Sequence, residues 1–200
     1  MSGRLIAFEG GEAVGKSTQA RLLAERLGAR LTFEPGATEL GARIRSLVLD
    51  ATDLPLSPQA EALLMAADRA QHVSEVIRPA LEAGADVVTD RFIGSSLAYQ
   101  GFGRCLGVDE ILAMSLFATQ GLQSALVVLL EVPDEVALSR QASPSDRIEA
   151  ESAEFHRRVL EGYRTLAEQH PDQWAVVDGD RPVEEVAEAV YSAVGERLGD

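Results

Sequence analysis

The 200-residue chain is poor in several things at once. It has one cysteine, Cys105, so no internal disulfide can form, which suits a cytoplasmic setting. No His or carboxylate pattern surrounds that thiol, and it reads as a bystander rather than a nucleophile. No apolar run approaches the roughly 20 residues of a membrane span. The first residues, Met1-Ser2-Gly3-Arg4, lack the layout of a secretory leader, because the apolar run after them is too short. Positive charge is scarce: 18 Lys+Arg stand against 32 Asp+Glu, a net of −14. That argues against a nucleic-acid partner or an anionic membrane surface. Lysine is scarcer still, since Lys16 is the only one. No repeat, linker or low-complexity tract is visible, and the length fits one domain with a substantial core.

The single lysine lies in Gly10-Gly11-Glu12-Ala13-Val14-Gly15-Lys16-Ser17-Thr18, which fits G-x-x-x-x-G-K-[ST], the phosphate-binding P-loop. Leu5-Ile6-Ala7-Phe8 before it reads as a buried strand, and a helical pattern follows to Leu27. Strand, glycine turn and helix form the context the motif needs. Glycines let backbone N–H groups approach phosphate oxygens, and the helix adds its positive N-terminal end. Lys16 supplies a point charge for the β/γ-phosphates of a nucleoside triphosphate, and Ser17 a hydroxyl for Mg²⁺.

Strands and helices alternate along the rest of the chain. Ala20, Leu23, Ala24 and Leu27 line one face of the first helix, and Gly28 stops it. Arg30 to Phe33 is a second strand, broken by Glu34-Pro35-Gly36. Thr38 starts a helix carrying Leu40, Ile44, Leu47 and Val48. After Leu54-Pro55-Leu56, Ser57 caps a long helix over about Pro58–Glu82, with Leu63, Ala67, Ala70 and Ile77 toward the core and His72 solvated. Pro79 marks a bend or early end in it. Asp86 to Asp90 is a third strand, and 91–104 reads as irregular. Asp109 caps a helix to about Gln120. Ala125 to Val132 is a strand buried on both faces, and a helix opens at Pro133-Asp134. Gln141–Asp146 is a loop, Ile148–Gln169 a helix, Trp174–Val177 the last strand, and Pro182–Leu198 the closing helix. The expectation is an α/β fold with a parallel sheet covered on both faces, its ligands at the carboxyl ends of the strands.

Three further segments narrow the reading. Asp90-Arg91-Phe92-Ile93-Gly94-Ser95-Ser96-Leu97-Ala98-Tyr99-Gln100-Gly101 resembles the D-R-x…S-x-A-Y-Q-G segment of bacterial thymidylate kinases. Thr32-Phe33-Glu34-Pro35-Gly36-Ala37-Thr38 is similar to their T-R-E-P-G-G-T, and Asp146-Arg147-Ile148-Glu149 to their D-R-x-E at the lid edge. The resemblance implies a P-loop nucleoside monophosphate kinase fold with a five-stranded parallel sheet, a single domain and a lid at about 141–148. The implied reaction is ATP + dTMP → ADP + dTDP, with Mg²⁺, in a homodimer.

It also implies roles. Residues 10–18, with Arg140 and Arg181, would hold ATP, and Ser17 and Asp90 the metal. Glu12 would contact the acceptor sugar's 3′-hydroxyl, Arg91 would span the acceptor and transferring phosphates, and Arg45 would hold the acceptor phosphate. Arg69, Ser96 and Gln100 would read the base, Met65 would cover it, Tyr99 would pack beside the sugar, and Glu34 and Pro35 would shape the seat. Ala13 and Val14 leave no arginine inside the P-loop, so a lid arginine, Arg140 or Arg147, would serve the transition state. The chain departs from the family pattern at Phe33, where an arginine is usual, at Met65, where an aromatic is usual, and at Phe92 and Gly94. A kinase for another pyrimidine deoxynucleotide is therefore a second reading, and a non-catalytic ATP-binding module a third.

Overall fold

The computed structural model describes residues 3–50, 55–140 and 146–199. Its frame is a five-stranded sheet, all parallel, with strands β1 (Leu5–Glu9), β2 (Arg30–Phe33), β3 (Val87–Asp90), β4 (Leu126–Glu131) and β5 (Trp174–Asp178) in the spatial order β2-β3-β1-β4-β5. β1 lies at the centre, so the loop that leaves it emerges where strand order reverses, the position at which such sheets open a crevice.

Both faces of the sheet are covered, and side-chain alternation divides the core. Ile6, Phe8, Val88 and Val128 pack with Ala20, Leu23 and Ala24 of α1 (Lys16–Leu27) and with Val186, Val190 and Val194 of α9 (Val183–Leu198). Leu5, Ala7, Val87 and Leu129 face the other way. They pack against α2 (Glu39–Arg45), α3 (Pro58–His72), α4 (Arg78–Glu82), α5 (Ile93–Ser96), α6 (Val108–Thr119) and α8 (Ala153–Gln169). The short α7 (Asp134–Arg140) follows β4. Among the described residues, no helix is long and apolar enough to cross a membrane.

Local signals explain most boundaries. Gly28 ends α1 in the left-handed conformation, φ 64°, with its N–H bonded back to the helix. Thr38 and Ser57 cap α2 and α3 by accepting the amides of Gly41 and Ala60. Several expectations are corrected. Residues 93–103 are helical, α5 continuing into a π-helical turn over Leu97–Gly103. The glycines there answer a packing need, since a Cβ on Gly103 would lie 2.7 Å from Phe155 of α8. The helix expected from Ile148 starts at Ala153, because Ser152 caps Phe155 while Asp146 draws the amides of Ile148 and Glu149 into a separate turn. Gly107, not Asp109, precedes α6. In the long helical stretch Pro79 ends nothing. A π-helical turn over Val73–Ile77 absorbs it, and α4 carries on. Leu54 and 141–145 of the expected lid lie outside the described residues.

The largest correction concerns the face of α3. Leu63 is 61 % exposed and Ala67 is exposed, while Glu61, Asp68, Arg69 and His72 are buried. The polar stripe points inward because Asp68 and Arg69 line a cavity while Glu61 and His72 pair with buried partners behind it.

Candidate active site

The P-loop spans the gap between β1 and α1. Gly10 has φ 141°, and a Cβ there would sit 2.5 Å from the Leu130 carbonyl oxygen, so both conformation and space require glycine. Gly15 has φ 96° with open space around it, so its requirement is conformational alone. Lys16 is buried, and its ammonium donates to the Gly11 carbonyl inside the loop. Burial, then the Arg91 charge, lower its pKa to about 8 against the pull of Glu12, Asp90 and Glu9. Ser17 donates to Asp90 Oδ2 at 2.5 Å across the β1–β3 boundary. Asp90 Oδ1 is buried with no hydrogen-bond partner among the described residues. Such a pair, one hydroxyl and one half-used carboxylate, suits a hydrated Mg²⁺ that takes its other ligands from phosphates and water.

Two of the cavities that touch this loop share a wall. One is the groove of Gly15, Lys16, Ser17, Thr18 and Asp90, with Phe33 and Arg140 at its sides. The other lies between α2, α3 and α5 and is lined by Pro35, Met65, Arg69, Ser96, Tyr99 and Gln100, with Asp146 and Glu149 closing one end. Glu12, Glu34, Arg45 and Arg91 border both. Most of the residues singled out in the sequence lie around these two adjoining chambers, while Gly10, Gly11, Val14, Arg147 and Arg181 line neither.

Arg91 is the centre of that wall. Its backbone is left-handed, φ 71°, which a non-glycine residue adopts only when its surroundings hold it. The guanidinium pairs with Glu12 and donates to Ser95 Oγ at 3.1 Å and to Tyr163 OH at 3.4 Å. Tyr99 OH also donates to Glu12, at 2.6 Å. Burial alone would raise the Glu12 carboxyl, but the Arg91 and Lys16 charges hold it down at about 2. Behind Arg91 stands Glu9, which ends β1 fully buried and accepts from the Phe92 amide, Ser95 Oγ and Tyr163 OH at 3.0, 2.6 and 3.1 Å. Sequence reasoning missed Glu9, Ser95 and Tyr163. The available signal was a carboxylate closing an otherwise apolar strand.

The acceptor-side chamber is built on a buried polar lattice. Arg69 donates to Glu34 Oε2 at 2.8 Å, Ser96 Oγ at 2.9 Å and the Phe92 carbonyl at 2.9 Å. His72, expected in solvent, is fully buried, bonded to Glu34 Oε1 at 2.9 Å and to Thr32 Oγ1 at 2.6 Å. Arg45 donates to the Pro35 carbonyl at 3.1 Å. Met65 lines the chamber, while Phe33 stands 47 % exposed in the groove.

Asp68 accepts the Gly36 amide at 3.0 Å, and burial with the nearby Glu34 charge pushes its pKa up to about 6 from 3.8. A raised folded-state pKa means that ionisation costs stability. The cost is absent below the unfolded value and complete above the folded one. Asp68→Asn keeps the acceptor for Gly36 and should stabilise the fold by about 2 kcal/mol at about pH 8, the gain vanishing near pH 4. Thermal unfolding at the two pH values checks this.

The two lid arginines part company. Arg140 borders the P-loop groove, with Nη1 donating to the Gly179 carbonyl at 3.3 Å. Arg147, the other candidate for the transition state, pairs through its guanidinium with Glu61 of α3 at 3.2 Å, on the acceptor side, because Glu61 is a buried carboxylate needing cations. Arg181 is exposed, donates to Asp178 at 3.0 Å, and does not line the groove.

Comparison with known proteins agrees with this architecture. A family model described as thymidylate kinase matches residues 8–190. A thymidylate kinase of Leifsonia xyli is 49 % identical, over 98 % of this chain and 96 % of that protein. One from a Synechococcus species is 48 % identical, over 96 % and 95 %. The crystal structure of thymidylate kinase from Ehrlichia chaffeensis superposes with a TM-score of 0.81 at 28 % identity, covering 97 % of this chain and 99 % of that one. With the family model matching residues 8–190 and relatives of 48–49 % identity covering nearly its full length, the chain belongs to the thymidylate kinase family.

Proposed function

We propose that the chain, working as a single domain, transfers the γ-phosphoryl of ATP to dTMP, giving dTDP and ADP. The observation that carries this reading is the shared wall of Glu12, Glu34, Arg45 and Arg91 between the P-loop groove and the second chamber. A nucleotide switch needs one phosphate site. Two adjoining chambers with cations between them suit transfer from one phosphate to another.

An oxygen of the dTMP phosphate attacks the γ-phosphorus as its bond to the β-bridging oxygen breaks, so the work of the protein is alignment and charge neutralisation. The P-loop amides of residues 10–18 and Lys16 hold the ATP phosphates. Ser17 and Asp90 would hold Mg²⁺, which neutralises phosphate charge when bound. Arg91 reaches both the acceptor phosphate and the moving group, Arg45 steadies the acceptor, and Arg140 approaches the groove from the side. Glu12, ionised at every working pH, accepts from the sugar's 3′-hydroxyl, with Tyr99 beside the ring. Arg69, Ser96 and Gln100 present polar groups to the base, and the Met65 thioether covers its face.

ADP formation with dTMP, dUMP, dCMP and dGMP side by side tests the reading. Preference for dTMP is expected. Preference for another pyrimidine would place the change in the Phe33 and Met65 surroundings, and ATP binding without transfer to any acceptor would overturn kinase activity.

We further infer a homodimer working in the cytoplasm. Phe117 on α6 is 87 % exposed and Leu63 on the neighbouring α3 is 61 % exposed, the sort of apolar surface that association covers. Phe117→Glu should turn a dimer into a monomer in sedimentation, and a parent protein already monomeric would refute the pairing.

A further inference from the structure

Glu61, on α3, is buried yet stands outside the lining of the acceptor chamber. A carboxylate in that position is tolerated only if its oxygens are matched. Arg104 donates to it twice, at 3.1 and 2.8 Å, and Arg147 once, at 3.2 Å. The remaining contact is unlike these. Gln100, which does line the chamber, donates Nε2 to Glu61 Oε1 at 3.0 Å.

We infer that Glu61 is a specificity-determining positioning residue: it fixes the Gln100 carboxamide in one orientation, so that the acceptor base must offer a donor at N3 and a carbonyl at C4. The inference rests on the reading of this chamber as the base seat. A carboxylate between two guanidiniums has only acceptors to give. Turning the Gln100 amide over would set its carbonyl oxygen against Glu61 Oε1 in a site closed to water, leaving two acceptors facing each other and a donor unused. The amide therefore keeps its nitrogen toward Glu61, and presents Oε1 and its second N–H in a set order.

That order is a chemical filter. A thymine or uracil edge, N3–H beside O4, matches an acceptor beside a donor. A cytosine edge carries the reverse pattern, a bare N3 beside an amino group, and would fit only the inverted amide that Glu61 forbids. Without Glu61 the amide could turn over and suit either edge. The 5-methyl group plays no part in this filter, so thymine and uracil are treated alike by it.

The test is the ratio of kcat/KM values for dTMP, dUMP and dCMP in Glu61→Gln and Glu61→Asp. Glutamine can face Gln100 with either end of its own amide. Aspartate keeps a charge for Arg104 and Arg147 but withdraws from Gln100, which guards against a variant that fails to fold. In both, the dTMP:dCMP ratio should fall by about tenfold or more while dTMP:dUMP holds. Parallel losses on all three acceptors would mean that Glu61 is merely structural and would overturn the inference. Gln100→Met tests the underlying reading separately. If it leaves the dTMP:dCMP ratio at the parent value, the base does not rest on Gln100 and the seat itself is misassigned.

Discussion

Arg91→Met should lower kcat by about three to five powers of ten. Arg91 is a cation common to both chambers, and its two terminal nitrogens are shared among Glu12, Ser95, Tyr163 and, at 3.4 Å, the Gly10 carbonyl and Tyr99 OH. Glu12 offsets part of its charge, and the neutral partners aim it. Its value lies in facing the charge that shifts between phosphates in the transition state, where a preoriented cation in a water-poor site acts without reorganisation. Methionine roughly fills the volume, so the fold should survive. A second readout accompanies the rate. Glu12 owes its low pKa to Arg91 and Lys16 acting against burial, so losing Arg91 lets that carboxyl rise from about 2. The variant should then show a new loss of dTMP affinity as pH falls. A variant within tenfold of the parent kcat would remove Arg91 from the reaction.

Arg140→Ala should cost about two to four powers of ten in kcat with little change in dTMP affinity. Arg147→Ala should instead raise KM for dTMP. The contrast follows from where the guanidiniums lie. Arg140 borders the P-loop groove, whereas Arg147 is tied to Glu61, and its amide donates to the Leu49 carbonyl at 3.2 Å, fixing residues 146–149 over the acceptor chamber. Removing Arg147 unpins that cover, and removing Arg140 takes a cation from the transferring group. Both constants for both variants, measured with ATP and dTMP varied in turn, separate the roles. A collapse of kcat in Arg147→Ala alone would reverse the assignment.

Much of this was legible in the residues. α1 and β2 fall where apolar spacing and Gly28 place them, and the P-loop announces itself by its lysine. What was hidden shares one cause. A polar or small residue reads as exposed until another element is known to lie over it. Thus Gly101 and Gly103 suggested a loop, although the segment is helical and α8 packs against Gly103 so closely that a Cβ there would meet Phe155 and Val159. His72 on α3 suggested a solvated side chain, and nothing marked Glu61 or Asp68 as buried, because their partners Thr32, Arg104 and Gly36 come from distant parts of the chain. Arg147 was placed by motif beside the lid, and the motif carries no information about which way a guanidinium turns. The departures at Phe33 and Met65 were visible at once, and both now border the chambers.

The lone lysine has a consequence for how the protein can be modified. Apart from a terminal amine, Lys16 is the only amine in the chain, and burial lowers its pKa to about 8, toward its neutral form. Acetylation or conjugation of any lysine side chain therefore means modification of the phosphate cradle, and with it loss of the ammonium the loop is built around. There is no harmless surface lysine to take the tag.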